Sequence, residues 1–304
     1  MIRCPSSEVP YLIYCLVGQY EVDTLLKCTS PAQVASMRYG VLADVHGNLL
    51  ALQTAIDCLR REGVDAWLCA GDLVGYGPQP NECVETIAEL GALCVAGNHE
   101  LVLLGELSDQ RCGRLARETI RWTRDLLRED CRSYVAGLPR IVTTSSIVMT
   151  HGSLNDPQEY VTRDDQAAAQ LCQLGKEHPQ ARLLILGHTH RTWVYSETNG
   201  TLTSSEPGGV SLLPPGRFML NPGSVGQSRQ REPIPHARFM LLDLEHQCAR
   251  VYSTFYDVEA CEDALRMHGL PRECIHVRPG QWATAQRRGR ALIRRVRRLK
   301  SARS

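Results

Sequence analysis

No stretch of this 304-residue chain approaches the ~20 consecutive apolar residues that a membrane-spanning helix needs. CxxC pairs are also missing, and the cysteine count of 13 is odd. Cys69 and Cys94 sit inside apolar, strand-like runs, where cysteine serves as a small hydrophobe, so a disulfide framework is a poor reading and a reducing, cytoplasmic setting a better one. Cys4, Cys15 and Cys28 match the spacing of no zinc module. The first 36 residues lack a clustered basic start and a small-residue cleavage site, which argues against a secretory signal. Acidic residues vanish at the other end. From Arg287 to Arg303 there are nine cations and no acid, against 25 cations and 33 acids elsewhere, a balance of −8. The formal charge of +1 therefore averages an acidic domain and a basic tail.

Against these absences stand five short apolar runs that each end in metal-type residues. They are YGVLADVH at Asp44 and His46, WLCAGD at Asp72, LCVAGNHE at Asn98 and His99, IVMTH at His151, and LLILGHTH at His188 and His190. Runs of four to six residues rich in Val, Leu, Ile and Cys predict buried strands. Between the first of them, Leu49, Leu50, Leu52, Ile56 and Leu59 recur at helical spacing over Asn48 to Arg61. Alternating strands and helices imply parallel βαβ units, in which ligands gather beyond the carboxyl ends of the strands. Every one of these polar residues falls at such an end.

Asp44 and His46, two apart at a strand end, can leave the same side and chelate one ion, and His188 and His190 repeat the arrangement. Asp72 is a short carboxylate able to bridge two cations, while Asn98 offers a neutral oxygen and His151 a further imidazole. This mixed nitrogen and oxygen set without thiolate suits two divalent transition-metal ions. Mn²⁺ is the first expectation, with Fe, Ni²⁺, Co²⁺ or Zn²⁺ as alternatives, and Ca²⁺ or Mg²⁺ alone is disfavoured. Two such ions ~3.5 to 4 Å apart clamp a phosphoryl group and make hydroxide from bound water near neutral pH.

At these residues the chain resembles the calcineurin-like metallophosphoesterases, whose ordered blocks are DxH, GDxxD, GNH with an acid after it, a lone His, and GHxH. Here they read DVH at 44, GDLVG at 71, GNHE at 97, His151 and GHTH at 187. The resemblance spans roughly residues 38 to 256. It implies an α/β fold, an αββα sandwich of two mixed β-sheets flanked by helices. It implies one metal on Asp44, His46, Asp72 and His190 and a second on Asp72, Asn98, His151 and His188. His99 is then the non-ligand histidine that meets the leaving-group oxygen. The chain departs from the family's protein phosphatases at Gly75 and Tyr76, where those enzymes carry an Asp that orients the histidine and an Arg that grips phosphate. GDLVGYGP and NPGSVG at Asn221 to Gly226 look instead like the small bacterial and archaeal phosphodiesterase branch. Asn221 and Ser224 are its candidate substrate contacts.

Plainer readings attach to other features. GNHE could be only a turn into a helix, with Glu100 near its positive end. Cys112 to Ala136 predicts a helical stretch in which Arg114, Arg117, Arg121, Arg124 and Arg128 line one face, and interleaved Glu118, Asp125 and Glu129 make helical ion pairs sufficient. Strands at Trp193, Phe218, Phe239 to Leu244 and Ala249 to Phe255 are expected to form the antiparallel part of the second sheet. Ser204 to Pro215 reads as a long hairpin loop, and Asp257 to His268 as a helix ended by Gly269 and Pro271. His178, His236, His246, His268 and His276 are expected at the surface.

The expected organisation is an N-terminal extension over 1–36 without a catalytic role, a catalytic domain over 37–270, and a basic tail over 271–304. The tail, with Leu292, Ile293, Val296 and Leu299 at helical spacing, could bind nucleic acid or an anionic surface, or pack on its own acidic domain. The expected function is a phosphodiesterase or nucleotide pyrophosphohydrolase acting on a small phosphoester or nucleotide through metal-bound hydroxide. The rivals are a phosphomonoesterase or protein phosphatase, a nuclease, and, from another class, a protein-binding scaffold such as the retromer subunit of the same fold.

Overall fold

In the computed structural model, residues 37–203, 208–212 and 215–278 are described, so the N-terminal extension with Cys4, Cys15 and Cys28, and the basic stretch from 287 to 303, lie outside the described residues. The chain runs β1 (Arg38–Leu42), α1 (Leu49–Glu62), β2 (Ala66–Cys69), α2 (Pro80–Glu89), β3 (Leu93–Cys94) and α3 (Asn98–Leu104). It continues through α4 (Arg114–Leu126), α5 (Glu129–Ala136), β4 (Ile141–Thr143), β5 (Ile147–Thr150), α6 (Asp164–Glu177) and β6 (Leu183–Ile185). The remainder is β7 (Thr192–Ser196), β8 (Gly200–Thr203), β9 (Gly208–Ser211), β10 (Phe218–Pro222), β11 (Ala237–Asp243), β12 (Cys248–Thr254), α7 (Val258–Met267) and a 3₁₀ turn at Arg272–Cys274.

These strands form two six-stranded sheets, ordered β3-β2-β1-β11-β12-β9 and β4-β5-β6-β10-β7-β8. In the first, β1 pairs parallel with β2 and β2 with β3, as the βαβ pattern predicts. In the second, β5, β6 and β10 are parallel neighbours. Alternation along each strand sorts side chains into layers. Val41, Leu68, Met240 and Leu242 of one sheet meet Ile147, Met149, Ile185, Phe218 and Leu220 of the other in a central core. Leu42, Cys69, Phe239 and Leu241 point the opposite way, onto α1, α2 and α7. Val148, Leu184 and Met219 face α6 through Leu171 and Leu174. Helix, sheet, sheet, helix is therefore the layer order, the αββα sandwich. Each large side chain so buried stabilises it by roughly 1.5–3 kcal/mol.

Four expectations are corrected. β11 and β12 complete the first sheet, β11 pairing antiparallel with β1, rather than extending the second. The stretch expected as one hairpin loop contains β9, which pairs with β12. The helical stretch after Cys112 is two helices, because Leu127 and Arg128 adopt extended backbone between them. His276 is buried, its strand bridging to Ser228. The helix at α7 is as expected, with Asp257 accepting from the Ala260 N–H as its N-cap. The packed chain also continues past residue 270, since Cys274, Ile275 and Val277 are buried. Among the described residues, no helix is long and apolar enough to cross a membrane.

Candidate metal centre

Five loops converge at the carboxyl ends of β1, β2, β3, β5 and β6, three from one sheet and two from the other. They are laced together by backbone hydrogen bonds, Asp44 N–H to Gly71 C=O at 3.0 Å, His46 N–H to Asp72 C=O at 2.9 Å and Gly187 N–H to His151 C=O at 2.8 Å. Asp44, His46, Asp72, His188 and His190 all have left-handed backbone, with φ between 50° and 65°. The chelating pairs therefore do not continue a strand, as their spacing suggested. Each is aimed by a turn beyond the strand end.

The seven expected ligands are brought together, and all are buried. Asp44, His46 and His190 form one group with ligand atoms within 4.8 Å of one another, and Asp72, His151 and His188 form another. Asn98 joins the second, its Oδ1 lying 3.1 Å from His151 Nε2. Three imidazoles are fixed from behind. Nδ1 of His46, His151 and His190 lies 3.2, 2.6 and 2.8 Å from the carbonyls of Val74, Ala70 and Gln227. A carbonyl can only accept, so each Nδ1 carries a proton and Nε2 is the atom turned inward, where a cation can take the place of any proton it holds.

That arrangement calls for cations. His46 Nε2 and His190 Nε2 are 3.0 Å apart, and Asp44 Oδ2 and His188 Nε2 are buried without a hydrogen-bond partner. Converging lone pairs and orphaned acceptors of this kind are costly unless a positive charge sits among them. Burial holds His46, His188 and His190 below the ordinary histidine range, which keeps them neutral. At His151 burial works downward, but the carboxylate of Asp72 overrides it and pushes the group up to about 10. The field that would hold a proton there would equally hold a metal ion. The residues fit a pair of divalent metals.

His99 lies on the cavity side, Nε2 being 3.9 Å from Asp72 Oδ2. Among the described residues, no carboxylate hydrogen-bonds its ring. Its Nδ1 has no hydrogen-bond partner, and its ring is held by packing against His46 at 4.6 Å and Tyr76 at 4.8 Å. Gly75 leaves the ring its space, because a Cβ there would come within 2.2 Å of His99 Nδ1.

Glu100 has a role that its position near a helix start did not disclose. Its carboxylate accepts from the backbone N–H groups of Asp72 at 2.8 Å, Val74 at 3.0 Å and Gly97 at 2.8 Å. Asn221 and Ser224, expected to touch substrate, are buried and engaged as braces. Asn221 Nδ2 donates to the Gly187 carbonyl at 2.7 Å, and Ser224 Oγ to the Asp44 carbonyl at 2.9 Å. The NPGSVG loop thus ties the DVH and GHTH turns together. The arginines of α4 are mostly spoken for, Arg114 pairing with Glu118, Arg121 with Asp109 and Arg124 capping the Val102 and Leu103 carbonyls.

Above the metal residues opens a cavity of about 1000 Å³, whose wall includes Tyr76, Arg111, Arg114, Tyr160 and Arg229. Neither Tyr160 nor Arg229 belongs to a motif visible in the sequence. The first lies in a loop without a motif, and the second follows NPGSVG by three residues.

Residues 37–192 match the family model described as calcineurin-like phosphoesterase. An uncharacterized protein of Methanocaldococcus jannaschii is 29% identical over 237 residues, covering 76% of this chain and 93% of its own. The crystal structure of a metallophosphoesterase from Sphaerobacter thermophilus is similar with a TM-score of 0.68 and 29% identity, over 79% of this chain and 96% of that one. A hypothetical protein from Pyrococcus horikoshii shares the fold, with a TM-score of 0.62 and 21% identity over 78% and 96% of the two chains.

Proposed function

This chain belongs to the calcineurin-like phosphoesterase family and is a metal-dependent phosphoric ester hydrolase, and from that premise we propose that it cleaves a phosphodiester or a nucleotide phosphoanhydride. The size of the cavity over the metal residues carries this reading. In-line displacement at a diester needs room for an organic group on each side of phosphorus, whereas a monoester needs it on one. At about 1000 Å³ the space lies at the upper end of the range for small-molecule sites, which suits a nucleotide-sized substrate.

Asp44, His46, Asp72 and His190 would hold one ion, and Asp72, Asn98, His151 and His188 the other. When bound, two such ions polarise phosphoryl oxygens and lower the pKa of water. The chain itself supplies placement. Asp72 is fixed twice over, its N–H held by Glu100 and its Oδ1 accepting the His99 N–H at 2.9 Å. His99, which lines the cavity, would offer a leaving oxygen a hydrogen bond or proton from Nε2. Burial keeps this ring below the ordinary histidine range, and an anionic substrate beside it would draw it back up. Tyr76 packs against the ring, with centroids 4.8 Å apart.

Hydrolysis of bis-p-nitrophenyl phosphate and p-nitrophenyl phosphate, measured side by side with Mn²⁺ for the wild type and Asp72→Asn, tests this reading. Diesterase activity that Asp72→Asn abolishes is the expected result. A dominant monoesterase would overturn the diester assignment, and a wild type silent on both substrates would favour a non-catalytic scaffold.

A further inference from the structure

Gly75 and Tyr76 leave this chain without the cation that grips phosphate in the family's protein phosphatases, and Tyr76 fills the space with a buried, uncharged ring against His46 and His99. Arg229 enters the same cavity from a different part of the fold. It leaves the loop that follows β10 and lines the wall with Asp72, Asn98, His188 and His190. Resting on the phosphoesterase reading of that cavity, we propose that Arg229 is the phosphate-binding residue of this enzyme, with the Tyr160 hydroxyl beside it on the same oxygens and Gln227 as its positioning residue.

The side chain is held by Gln227 at its near end and reaches Tyr160 at its far end. Nε donates to Gln227 Oε1 at 3.0 Å. Gln227 is itself fixed in three directions: its N–H donates to Ser224 Oγ at 3.0 Å, its Nε2 to the Glu273 carbonyl at 2.9 Å, and its own carbonyl receives His190 Nδ1 at 2.8 Å. One residue thus sets both an expected metal ligand and the guanidinium, so their separation is held by covalent geometry and short bonds.

At the far end, Nη1 lies 3.5 Å from the Tyr160 hydroxyl, too long for a strong hydrogen bond. The Tyr160 ring packs on His188 with centroids 4.0 Å apart, which places the hydroxyl on the cavity rim next to the second metal group. A guanidinium fork matches the spacing of phosphate oxygens, which a tyrosine or lysine does not reproduce.

Full-length wild type, Arg229→Lys, Arg229→Ala and Tyr160→Phe are compared in four measurements: kcat and KM on bis-p-nitrophenyl phosphate, inhibition by inorganic phosphate, bound metal per chain, and Tm. Calorimetric titration of the metal-loaded proteins with inorganic phosphate is added as a readout that does not depend on turnover. For Arg229→Ala the expected result is a loss of about 100-fold in kcat/KM, a magnitude seen when one donor to a developing oxyanion is removed. Phosphate binding should weaken at least about tenfold with metal content and Tm held, partial recovery in Arg229→Lys, and a smaller loss in Tyr160→Phe. Phosphate binding and kcat/KM within about twofold of wild type in Arg229→Ala would overturn the proposal. Loss of metal or a collapse of Tm in that variant would also overturn it, leaving Arg229 a structural strut. A wild type that binds phosphate through Arg229 yet hydrolyses nothing would sink the diesterase reading alone.

Discussion

The carboxylate of Glu100 accepts the backbone N–H of Asp72 at 2.8 Å, and the same oxygen accepts the N–H of Gly97 at 2.8 Å. A residue in the first turn of α3 therefore fixes the backbone on which the Asp72 carboxylate is mounted. Glu100→Ala would leave three buried N–H groups unpaired, counting that of Val74. We expect a loss of about 2–4 kcal/mol in stability, together with metal content below that of the wild type. Chemical denaturation and elemental analysis check both, and an Ala variant that keeps its full metal complement would refute the positioning role.

Gly75 has φ of +80° and no room for a side chain, the nearest atom to an added Cβ being His99 Nδ1 at 2.2 Å. Gly75→Ala should displace the His99 ring and reduce kcat by about 10²-fold or more, comparable with loss of an acid–base group. KM should change little. Steady-state kinetics of Gly75→Ala and His99→Ala in parallel decide the matter, since equal effects that do not add in the double variant place both changes on one group.

Chelation should lower Tm. The orphaned Asp44 Oδ2 and His188 Nε2 and the inward-facing lone pairs of His46 and His190 favour the metal-bound state. A free ion at 100 times its dissociation constant stabilises a protein by about 2.7 kcal/mol. Thermal melts with EDTA and then with Mn²⁺, Zn²⁺ or Co²⁺ restored should therefore separate by several degrees. Coincident melts would argue that no ion binds here.

Glu232 gives an acid limb to stability. It pairs with Arg238 at 2.6 Å where both side chains are largely buried. Burial works to raise the carboxyl, but the Arg238 hydrogen bond outweighs it and the group lies below its ordinary value of 4.5. A depressed folded pKa contributes stability that is complete above the unfolded value and lost as pH falls through the folded one. Glu232→Gln should cost about 3 kcal/mol at pH 7 by removing the carboxylate that faces the largely buried Arg238, and its stability should fall less between pH 5 and 3 than that of the wild type. Urea titrations across that interval provide the check.

The sequence displayed the metal residues because each motif is a local event, a buried run followed at once by a turn. Val41 and Leu42 announce β1, and Asp44 and His46 stand two and four residues beyond its end. Strand partnership is not local. Nothing in Ala237–Asp243 says that it pairs with β1 rather than β10, because a continuous apolar run buried on both faces fits either sheet until the crossover is known. Arg229 and Glu100 were missed for the same reason. Glu100 lies 28 residues from Asp72, the residue it supports, and Arg229 reaches the cavity only after the second sheet has folded over the first.

Asn221 and Ser224 show the reverse failure. Their motif was visible, but small polar residues in a loop serve equally to bind ligand and to satisfy backbone, and only the hydrogen bonds to Gly187 and Asp44 tell the two apart.

Asp44, His46, Asp72, His188 and His190 occupy a backbone region that L-residues avoid, at about 1 kcal/mol or more apiece. A chain selected for folding alone would put glycine or asparagine at these five positions. Their presence makes the stripped protein the form in which that tension has least to oppose it, and the loops beyond β1, β2 and β6 the first to open. Proteases acting on transiently opened chain would then remove the empty protein faster than the loaded one, so its lifetime in a cell would track metal supply.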